Sequence, residues 1–262
     1  MRRSQVALLA ALALGRWIAC VHEPSVTVVE ERIEPQPGPD PLGQGRLTAR
    51  PRPPAGVAEP GTHPLGLGTG RDGLLHIPTG QQPDRPAPLL VLLHGAGGDA
   101  AHALARVRAP ADEAGVVVLV PESRGATWDL VSGRFGPDVA FLDRALDHVF
   151  ERCLIERARI GIAGFSDGAS YALSLGLANG DRFARVIAFA PGFIAPVRRV
   201  GRPRVFIAHG VSDPMLPIER HGRPIAAALR RAGYEVTLKE FAGGHLVPEE
   251  VVRTALEWWL HE

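Results

Sequence analysis

The stretch GFSDG, residues 164–168, decides the fold, because it joins an apolar run at residues 159–163 to a helix-forming run at residues 169–173. That order predicts a strand, a sharp turn and a helix. In a G-x-S-x-G turn the two glycines let strand and helix approach closely, and the serine hydroxyl lies exposed at the helix N-terminus. Ser166 is therefore the candidate nucleophile. The alternative is a glycine-rich turn whose serine only caps the helix.

Two later segments supply candidate partners for this serine. A serine hydroxyl needs a histidine that takes its proton and a carboxylate that orients the histidine. Residues 203–208 predict a buried strand, and Asp213 follows in the next loop. Residues 234–241 predict another strand, which leads through two glycines to His245. The chain order Ser166, Asp213, His245 is that of α/β-hydrolases and differs from that of chymotrypsin and subtilisin.

Both partners have competing interpretations. Asp213 precedes Pro214, and this pair of residues also favours a simple turn. His209 and His221 are alternative bases. His245 is favoured over them because two glycines give its loop the freedom to aim an imidazole, and because it follows the candidate acid in the chain.

The turn HGAGG, residues 94–98, is the fourth candidate part of the site. It follows a predicted buried strand at residues 89–93. Exposed backbone N–H groups in a glycine-rich turn are what an oxyanion hole requires. We expect the donors to be the N–H groups of Ala96 and of Asp167, the residue after the candidate nucleophile.

The same turn also fits a dinucleotide-binding fingerprint. Gly95, Gly97 and Ala100 have the G-x-G-x-x-A spacing, and Glu122 follows the next predicted strand, residues 116–120, as a ribose-binding acid would. That hypothesis leaves the candidate nucleophile, acid and base without a role, whereas a hydrolase uses all of them. The hydrolase interpretation is therefore preferred.

Taken together, these motifs resemble the phospholipase/carboxylesterase family of α/β-hydrolases. The resemblance runs in order through residues 71–262 and rests on five segments: 89–98, 164–169, 190–194, 209–217 and 243–245. It implies a serine esterase that works through an acyl-enzyme. The family commonly has glutamine where this chain has Asp167, which leaves the acyl group open. Secreted polyester depolymerases and feruloyl esterases are close alternatives, whereas dienelactone hydrolases use a cysteine nucleophile.

Predicted strands alternate with helices beyond residue 71, which predicts an α/β-hydrolase fold with a mostly parallel, doubly wound sheet. The functional loops then gather at the carboxyl ends of the strands. The connection at residues 190–203 is short, so we expect no cap domain and an open site for small or surface-presented acyl groups. Trp128 lies in a loop at the same edge, as a substrate-binding wall of the acyl pocket or as a packing tryptophan.

Composition limits the partners. The chain has 262 residues, 22% of them charged, and a net charge of +1, which argues against nucleic acid as an obligatory partner. The expected partner is a small-molecule or surface-presented ester, and the proposed chemistry needs no metal or organic cofactor. A catalytically silent binding protein that kept the hydrolase fold is the alternative of another class. The sequence leaves the oligomeric state open.

The N-terminal part predicts export. Arg2 and Arg3 precede an apolar run at residues 6–14, which is typical of a secretory signal and too short to span a bilayer. Cys20 ends a segment that resembles a bacterial lipoprotein cleavage site, so residues 1–20 are either a lipoprotein signal with Cys20 lipidated or a simple cleaved signal. The chain is expected in the periplasm or outside the cell, anchored to a membrane if Cys20 carries lipid.

The segment after the signal is rich in proline and glycine. Residues 21–70 therefore predict an unpacked tether. The catalytic domain is expected at residues 71–262. Its one cysteine, Cys153, is expected to be a buried core residue, so no disulfide framework is implied.

Overall fold

A computed structural model of the protein describes residues 41–56, 58–195 and 197–261. The predicted signal peptide, Cys20 and residues 21–40 of the predicted tether lie outside the described residues. The described strands are β1 (Gly61–Pro64), β2 (Gly73–Ile77), β3 (Ala87–Leu93), β4 (Val117–Pro121), β5 (Ile155–Phe165), β6 (Arg185–Phe189), β7 (Arg204–Gly210) and β8 (Val236–Phe241). The described α-helices are α1 (Ala100–Ala114), α2 (Pro137–Phe150), α3 (Asp167–Ala178), α4 (Gly222–Arg231) and α5 (Glu249–His261).

The strands form one sheet in the order β1-β2-β4-β3-β5-β6-β7-β8. β1 pairs antiparallel with β2, and β2 pairs antiparallel with β4. The pairs from β4 to β8 are parallel. Every residue of β3 and β4 is buried, as expected for a parallel sheet that is covered by helices on both faces. The predicted doubly wound, mostly parallel sheet is confirmed.

Alternate residues of the central strands contribute side chains to two hydrophobic cores, one on each face of the sheet. Leu89, Val91 and Leu93 of β3 pack with α2, α3 and α4 on one face of the sheet. Leu90 and Leu92 pack with α1 and α5 on the other face. Successive side chains of a strand point to opposite faces, so a continuous apolar run is needed to supply both cores. The carboxyl ends of β3, β5, β7 and β8 consequently meet at one edge of the sheet.

The tether prediction is wrong for the part of this segment that the structure describes, within residues 41–70. Leu47, Ala49 and Leu65 are buried in the same core as α2 and α3, and residues Gly61–Pro64 add β1 to the sheet. The catalytic domain therefore begins well before residue 71.

Polar side chains of the domain hold this segment in place. The carboxylate of Asp143 accepts the backbone N–H groups of Thr48 and Ala49 at 2.7 and 2.8 Å. The Asn179 side chain accepts the N–H of Leu47 at 2.9 Å and donates to the carbonyl of Gly45 at 2.6 Å. An irregular segment needs no internal ladder when side chains from elsewhere satisfy its backbone. This explains why a segment rich in proline and glycine packs on the domain with little regular structure of its own.

The connection between β6 and β7 is short, begins at the edge of the sheet that carries the functional loops and runs along α3 to the start of β7. Neither residues 191–195 nor residues 197–203 contain a helix. Among the described residues, no helix is both long and apolar enough to cross a membrane.

Candidate active site

Ser166 lies at the sharp turn between β5 and α3. Its φ and ψ angles are 56° and −119°, a conformation that non-glycine residues rarely adopt. A Cβ on Gly164 would collide with the carbonyl of Gly168, and a Cβ on Gly168 would collide with the carbonyl of His94. Both glycines of the motif are therefore required by the close approach of strand, helix and neighbouring turn. The Ser166 N–H donates to the Phe189 carbonyl at 2.9 Å, which fixes the turn on β6.

The structure brings Ser166, Asp213 and His245 together. His245 Nε2 lies 3.0 Å from Ser166 Oγ, and His245 Nδ1 lies 2.7 Å from Asp213 Oδ2. The loops that carry the acid and the histidine touch, because Gly210 packs directly against the carbonyls of the two glycines before His245. The imidazole packs on the ring of Phe165, with ring centroids 4.8 Å apart. The arrangement is a continuous chain from hydroxyl to imidazole to carboxylate.

Asp213 is buried, and its carboxylate oxygens form hydrogen bonds with the surrounding protein. Burial alone would raise its pKa, but the N–H groups of Leu216 and Met215, each 2.9 Å from Oδ1, and the imidazole of His245 hold the pKa below its usual range. The side chain is therefore an anion at neutral pH. An anion beside Nδ1 keeps the proton of a neutral His245 on that nitrogen and leaves Nε2 to accept from Ser166.

The two alternative bases lie elsewhere. His209 is fully buried on β7, and its Nε2 donates to the Leu216 carbonyl at 2.7 Å. Burial lowers the pKa of His209, so its ring is neutral. The Nδ1 atom of His221 lies 2.8 Å from the Gly192 carbonyl. Neither ring contacts Ser166, so the geometry favours His245.

The glycine-rich turn at residues 94–98, the oxyanion turn below, lies beside the nucleophile. A Cβ on Gly95 would be 3.5 Å from the Ser166 Cβ, which places the turn in contact with the elbow. Within the described residues, the N–H groups of Ala96 and Asp167 have no acceptor. Asp167 is also the first residue of α3, where the helix dipole is positive. The two predicted donors are thus free to bind an anionic oxygen.

A buried histidine orients the first of these donors. His94 Nε2 accepts the N–H of Ser123 at 3.0 Å, so its proton is on Nδ1, which donates to the Gly95 carbonyl at 2.7 Å. Burial lowers the pKa of His94 and keeps it neutral. The Gly95 carbonyl and the Ala96 N–H belong to one planar peptide group and point in opposite directions. Holding the carbonyl therefore fixes the direction of the N–H.

Two more side chains hold the carbonyls of the oxyanion turn. Trp128 Nε1 donates to the His94 carbonyl at 2.8 Å, and Arg71 Nη2 donates to the Gly98 carbonyl at 2.6 Å. Trp128 is 1% exposed and stacks against the rings of His94 and Tyr171. The prediction that Trp128 forms a wall of a substrate pocket is therefore wrong, because its ring is packed in the core and its N–H is used by the turn.

Comparisons with known proteins show similarity to esterases. The sequence profile of a family described as Phospholipase/Carboxylesterase matches residues 139–259. Feruloyl esterase C of Emericella nidulans is 28% identical over 159 residues, 57% of this chain and 57% of that protein. The putative esterase NocK of Nocardia uniformis subsp. tsuyamanensis is 31% identical over 143 residues, 50% of this chain and 42% of that protein. The chain thus spans about half the length of the curated relatives it matches.

Solved structures show the same architecture. Esterase PE8 superposes with a TM-score of 0.60 at 20% identity, over 72% of this chain and 98% of that one. The S-formylglutathione hydrolase FrmB of Staphylococcus aureus superposes with a TM-score of 0.61 at 16% identity, over 76% of this chain and 97% of that one. The chain has the α/β-hydrolase fold.

A short loop links the oxyanion turn to the elbow. The N–H of Gly97 donates to the Ala126 carbonyl at 2.7 Å. The next residue, Thr127, donates its hydroxyl to Asp167 Oδ2 at 2.7 Å. The acidic side chain that stands where the resembled family commonly has glutamine is therefore held by Thr127.

One cavity adjoins the site. It has a volume of about 220 Å³ and is bounded by Gly95 and Ala96 of the oxyanion turn, by Phe165 of the elbow and by Val247, two residues after His245. Side chains of α1 and α5 complete its walls. In the part of the chain that the structure describes, no group of three histidine, cysteine or acidic side chains is placed to hold a metal ion.

Proposed function

We propose that this α/β-hydrolase cleaves carboxylic esters through an acyl-enzyme formed on Ser166. The observation that carries the proposal is the unbroken chain of hydrogen bonds from Ser166 Oγ through His245 to the buried anion of Asp213. This chain lies beside two N–H groups that lack acceptors among the described residues. A nucleophile, a base with its orienting acid, and an oxyanion hole are the parts that acyl transfer requires.

Acylation follows from the positions of these groups. His245 Nε2 removes the hydroxyl proton as Ser166 Oγ attacks the ester carbonyl carbon, and Asp213 stabilises the imidazolium that forms. The N–H groups of Ala96 and Asp167 hold the negative oxygen of the tetrahedral intermediate. The imidazolium then gives its proton to the departing alcohol oxygen.

Deacylation repeats the same chemistry with water. His245 removes a proton from a water molecule that attacks the acyl carbon, and the intermediate again places its oxygen anion on Ala96 and Asp167. Collapse of this intermediate returns the proton to Ser166 Oγ and releases the acid. Every proton transfer uses the imidazole, so the cycle balances without a metal or an organic cofactor.

The substrate class is an ester that can reach an open site, either a small molecule or an ester presented on a surface. Support comes from the short connection between β6 and β7 and from the names of the relatives, several of which are esterases or carboxylesterases. A feruloyl-esterase-like or polyester-cleaving activity is the alternative within the same chemistry. The similarity to feruloyl esterases favours the former over the latter.

The decisive experiment separates an esterase from a silent binding protein with the same fold. We expect the protein to react with a fluorophosphonate probe and to hydrolyse p-nitrophenyl esters. Ser166→Ala is expected to abolish both signals, whereas Ser132→Ala, a change at an exposed serine, is expected to abolish neither. A folded wild-type protein that reacts with neither probe nor ester would support the binding-protein alternative instead.

We further propose that residues 1–20 direct export and that Cys20 is the site of a lipid anchor. The basic pair Arg2 and Arg3, the apolar run at residues 6–14 and the position of Cys20 support this. In a bacterial host the protein should fractionate with membranes, and Cys20→Ser should release it or block its processing. Full-length protein in the cytoplasm with an intact Met1 would contradict the proposal, whereas a soluble exported protein would point to a simple cleaved signal.

A further inference from the structure

The cavity beside the oxyanion turn has an apolar interior. Leu92, Phe189, Val107 and Val252 form its deeper walls. Its volume of about 220 Å³ exceeds the roughly 150 Å³ of an engineered apolar cavity that binds benzene. The cavity can therefore hold an aromatic ring with a substituent or a chain of about six carbons.

The rim of the cavity is polar and belongs to the first turns of α1. The Asp99 carboxylate caps the helix by accepting the N–H of His102 at 2.8 Å, and it also lies 2.6 Å from the ring Nδ1 of His102. Its charge is therefore offset by the helix N-terminus and the imidazole. Arg106 lies one turn further along the same face.

Arg106 differs from most other arginines of the domain. Arg223 and Arg253, for example, are paired with glutamates at 2.7 and 2.5 Å. Arg106 is exposed, and among the described residues it has no ion-pair or hydrogen-bond partner. A free guanidinium at the mouth of an apolar cavity next to a nucleophile is suited to an anion carried by the substrate.

We propose that this cavity is a substrate pocket for an ester in which one of the two groups is apolar and ends in a carboxylate, and that Arg106 binds that carboxylate. The inference rests on the proposed esterase function and specifies its substrate class. A guanidinium binds a carboxylate through two parallel hydrogen bonds, which gives direction as well as affinity. Asp167 carries its own negative charge outside the cavity, so it disfavours an anionic group on the α3 side of the nucleophile.

The test compares matched esters with and without the distal carboxylate. In the acyl series methyl hexanoate is paired with the monomethyl ester of hexanedioic acid, and in the alcohol series hexyl acetate is paired with 6-acetoxyhexanoate. We expect wild-type kcat/KM to be about tenfold higher for the anionic ester in one of the two series. The series that shows the preference identifies the group that enters the cavity.

Arg106→Gln is expected to lower the anionic-to-neutral ratio of kcat/KM about tenfold. Arg108→Gln is the matched control, since Arg108 lies on the same helix, is exposed and does not border the cavity. It should leave the ratio unchanged. Filling the cavity by Ala103→Leu should lower the hexanoate-to-acetate ratio about tenfold if the acyl group enters it, or the hexyl-to-methyl ratio of acetate esters if the alcohol group enters it. Ala101→Leu, at an exposed position of the same helix, should change neither ratio.

A binding measurement keeps the inference testable without turnover. Calorimetric titration of the Ser166→Ala protein with the anionic and the neutral ester of each series should show about tenfold tighter binding of the anion in one series, lost in the double variant with Arg106→Gln. Ester hydrolysis with no preference in either series, or a preference that survives Arg106→Gln, would overturn the pocket assignment and leave the esterase function standing. Absence of hydrolysis and of fluorophosphonate labelling would overturn the function, while the titration would still decide the pocket.

Discussion

Two regions of the molecule contain a hydroxyl, an imidazole and a carboxylate in a hydrogen-bonded row. The two rows have different surroundings. The elbow relay consists of Ser166, His245 and Asp213, and the edge relay consists of Thr62, His76 and Asp112. The hydroxyl-to-imidazole distances are 3.0 and 2.8 Å, and the imidazole-to-carboxylate distances are 2.7 and 2.8 Å. Distances within the row therefore do not distinguish a nucleophile from a structural contact.

The surroundings of the two hydroxyls do distinguish them. Thr62 lies on the edge strand β1, directly opposite His76 of β2, so its hydroxyl is one half of a cross-strand pair. His76 is buried and continues to Asp112 on α1, which ties the edge of the sheet to the helix. Ser166, in contrast, has a strained backbone and lies beside the free N–H groups of the oxyanion turn and α3. The elbow relay therefore has the surroundings that a nucleophile needs, whereas the edge relay has those of a structural contact.

The largest expected effect separates the two relays by activity. Ser166→Ala and His245→Ala should each lower kcat about 10⁶-fold, and the double variant should be hardly slower than either, because the two residues act as one unit. Thr62→Ala should leave kcat within about twofold, because no oxyanion donor faces Thr62 in this assignment. Steady-state kinetics on a p-nitrophenyl ester measure all four.

One result would contradict a purely structural role for the edge relay. If the residual activity of the Ser166→Ala protein disappeared on adding Thr62→Ala, the edge relay would be a second catalytic site. Additive losses in the elbow double variant would instead argue against a coupled nucleophile and base.

The next largest effect concerns the oxyanion turn, which has no counterpart at the edge relay. His94→Gln removes the donor at the Nδ1 position and should lower kcat about 10- to 100-fold with KM little changed, since a misdirected Ala96 N–H weakens binding of the transition state. His94→Asn retains a donor near that position and should lose less. Equal losses in the two variants, or a loss confined to KM, would show that His94 acts only as a packing residue.

The fold was predictable because its signals are local. Residues 89–93 and 159–163 are apolar runs of strand length that end in glycine-rich turns, and such runs between helices leave few alternatives to a parallel sheet. The elbow was predictable for a related reason. Close approach of strand and helix requires glycine at positions 164 and 168, so the spacing of these glycines predicts the geometry.

What could not be predicted depends on contacts between residues far apart in the chain. The position of Trp128 after a predicted strand indicates the correct edge of the sheet. Its hydrogen bond to the His94 carbonyl depends on the packing of two loops, which no sequence spacing indicates. Leu47 follows an arginine in a segment rich in proline and glycine, yet it is buried, and its backbone N–H donates to Asn179, 132 residues later. Such polar contacts leave no periodic pattern in the sequence.

A smaller effect concerns the acids of the two relays and depends on pH. The pKa of Asp213 in the folded protein is below that of an unfolded aspartate, about 3.9, so its ionised form stabilises the fold above that pH. This contribution is lost as the pH falls through the folded pKa. Wild type should exceed Asp213→Asn in free energy of unfolding by about 1–3 kcal/mol at pH 7, and the difference should shrink as the pH falls below the unfolded pKa of about 3.9.

Urea unfolding at a series of pH values measures this difference. Asp84→Asn, at an exposed aspartate, is the control and should show no comparable dependence. The partly exposed Asp112 of the edge relay should contribute about 1 kcal/mol or less at pH 7, as solvent-screened pairs do. A difference for Asp213→Asn that stayed unchanged down to the lowest pH at which both proteins fold would contradict the hydrogen-bonded anion.

The smallest expected effect compares the backbones that carry the two hydroxyls. Ser166 has a φ of 56°, which favours glycine, whereas Thr62 lies in an extended strand, which does not. Ser166→Gly should therefore be more stable than Ser166→Ala by about 1 kcal/mol, because glycine relieves the strain that any side chain suffers there. At Thr62 the order should reverse, with alanine more stable than glycine by about 0.5–1 kcal/mol. Urea unfolding of the four variants measures both differences, and neither requires activity. Alanine more stable than glycine at both positions would mean that the elbow carries no strain, and the exposure of the Ser166 hydroxyl would then need another explanation. Opposite signs would show that strand, helix and oxyanion turn hold the serine against the preference of its own backbone, which is the feature that the edge relay lacks.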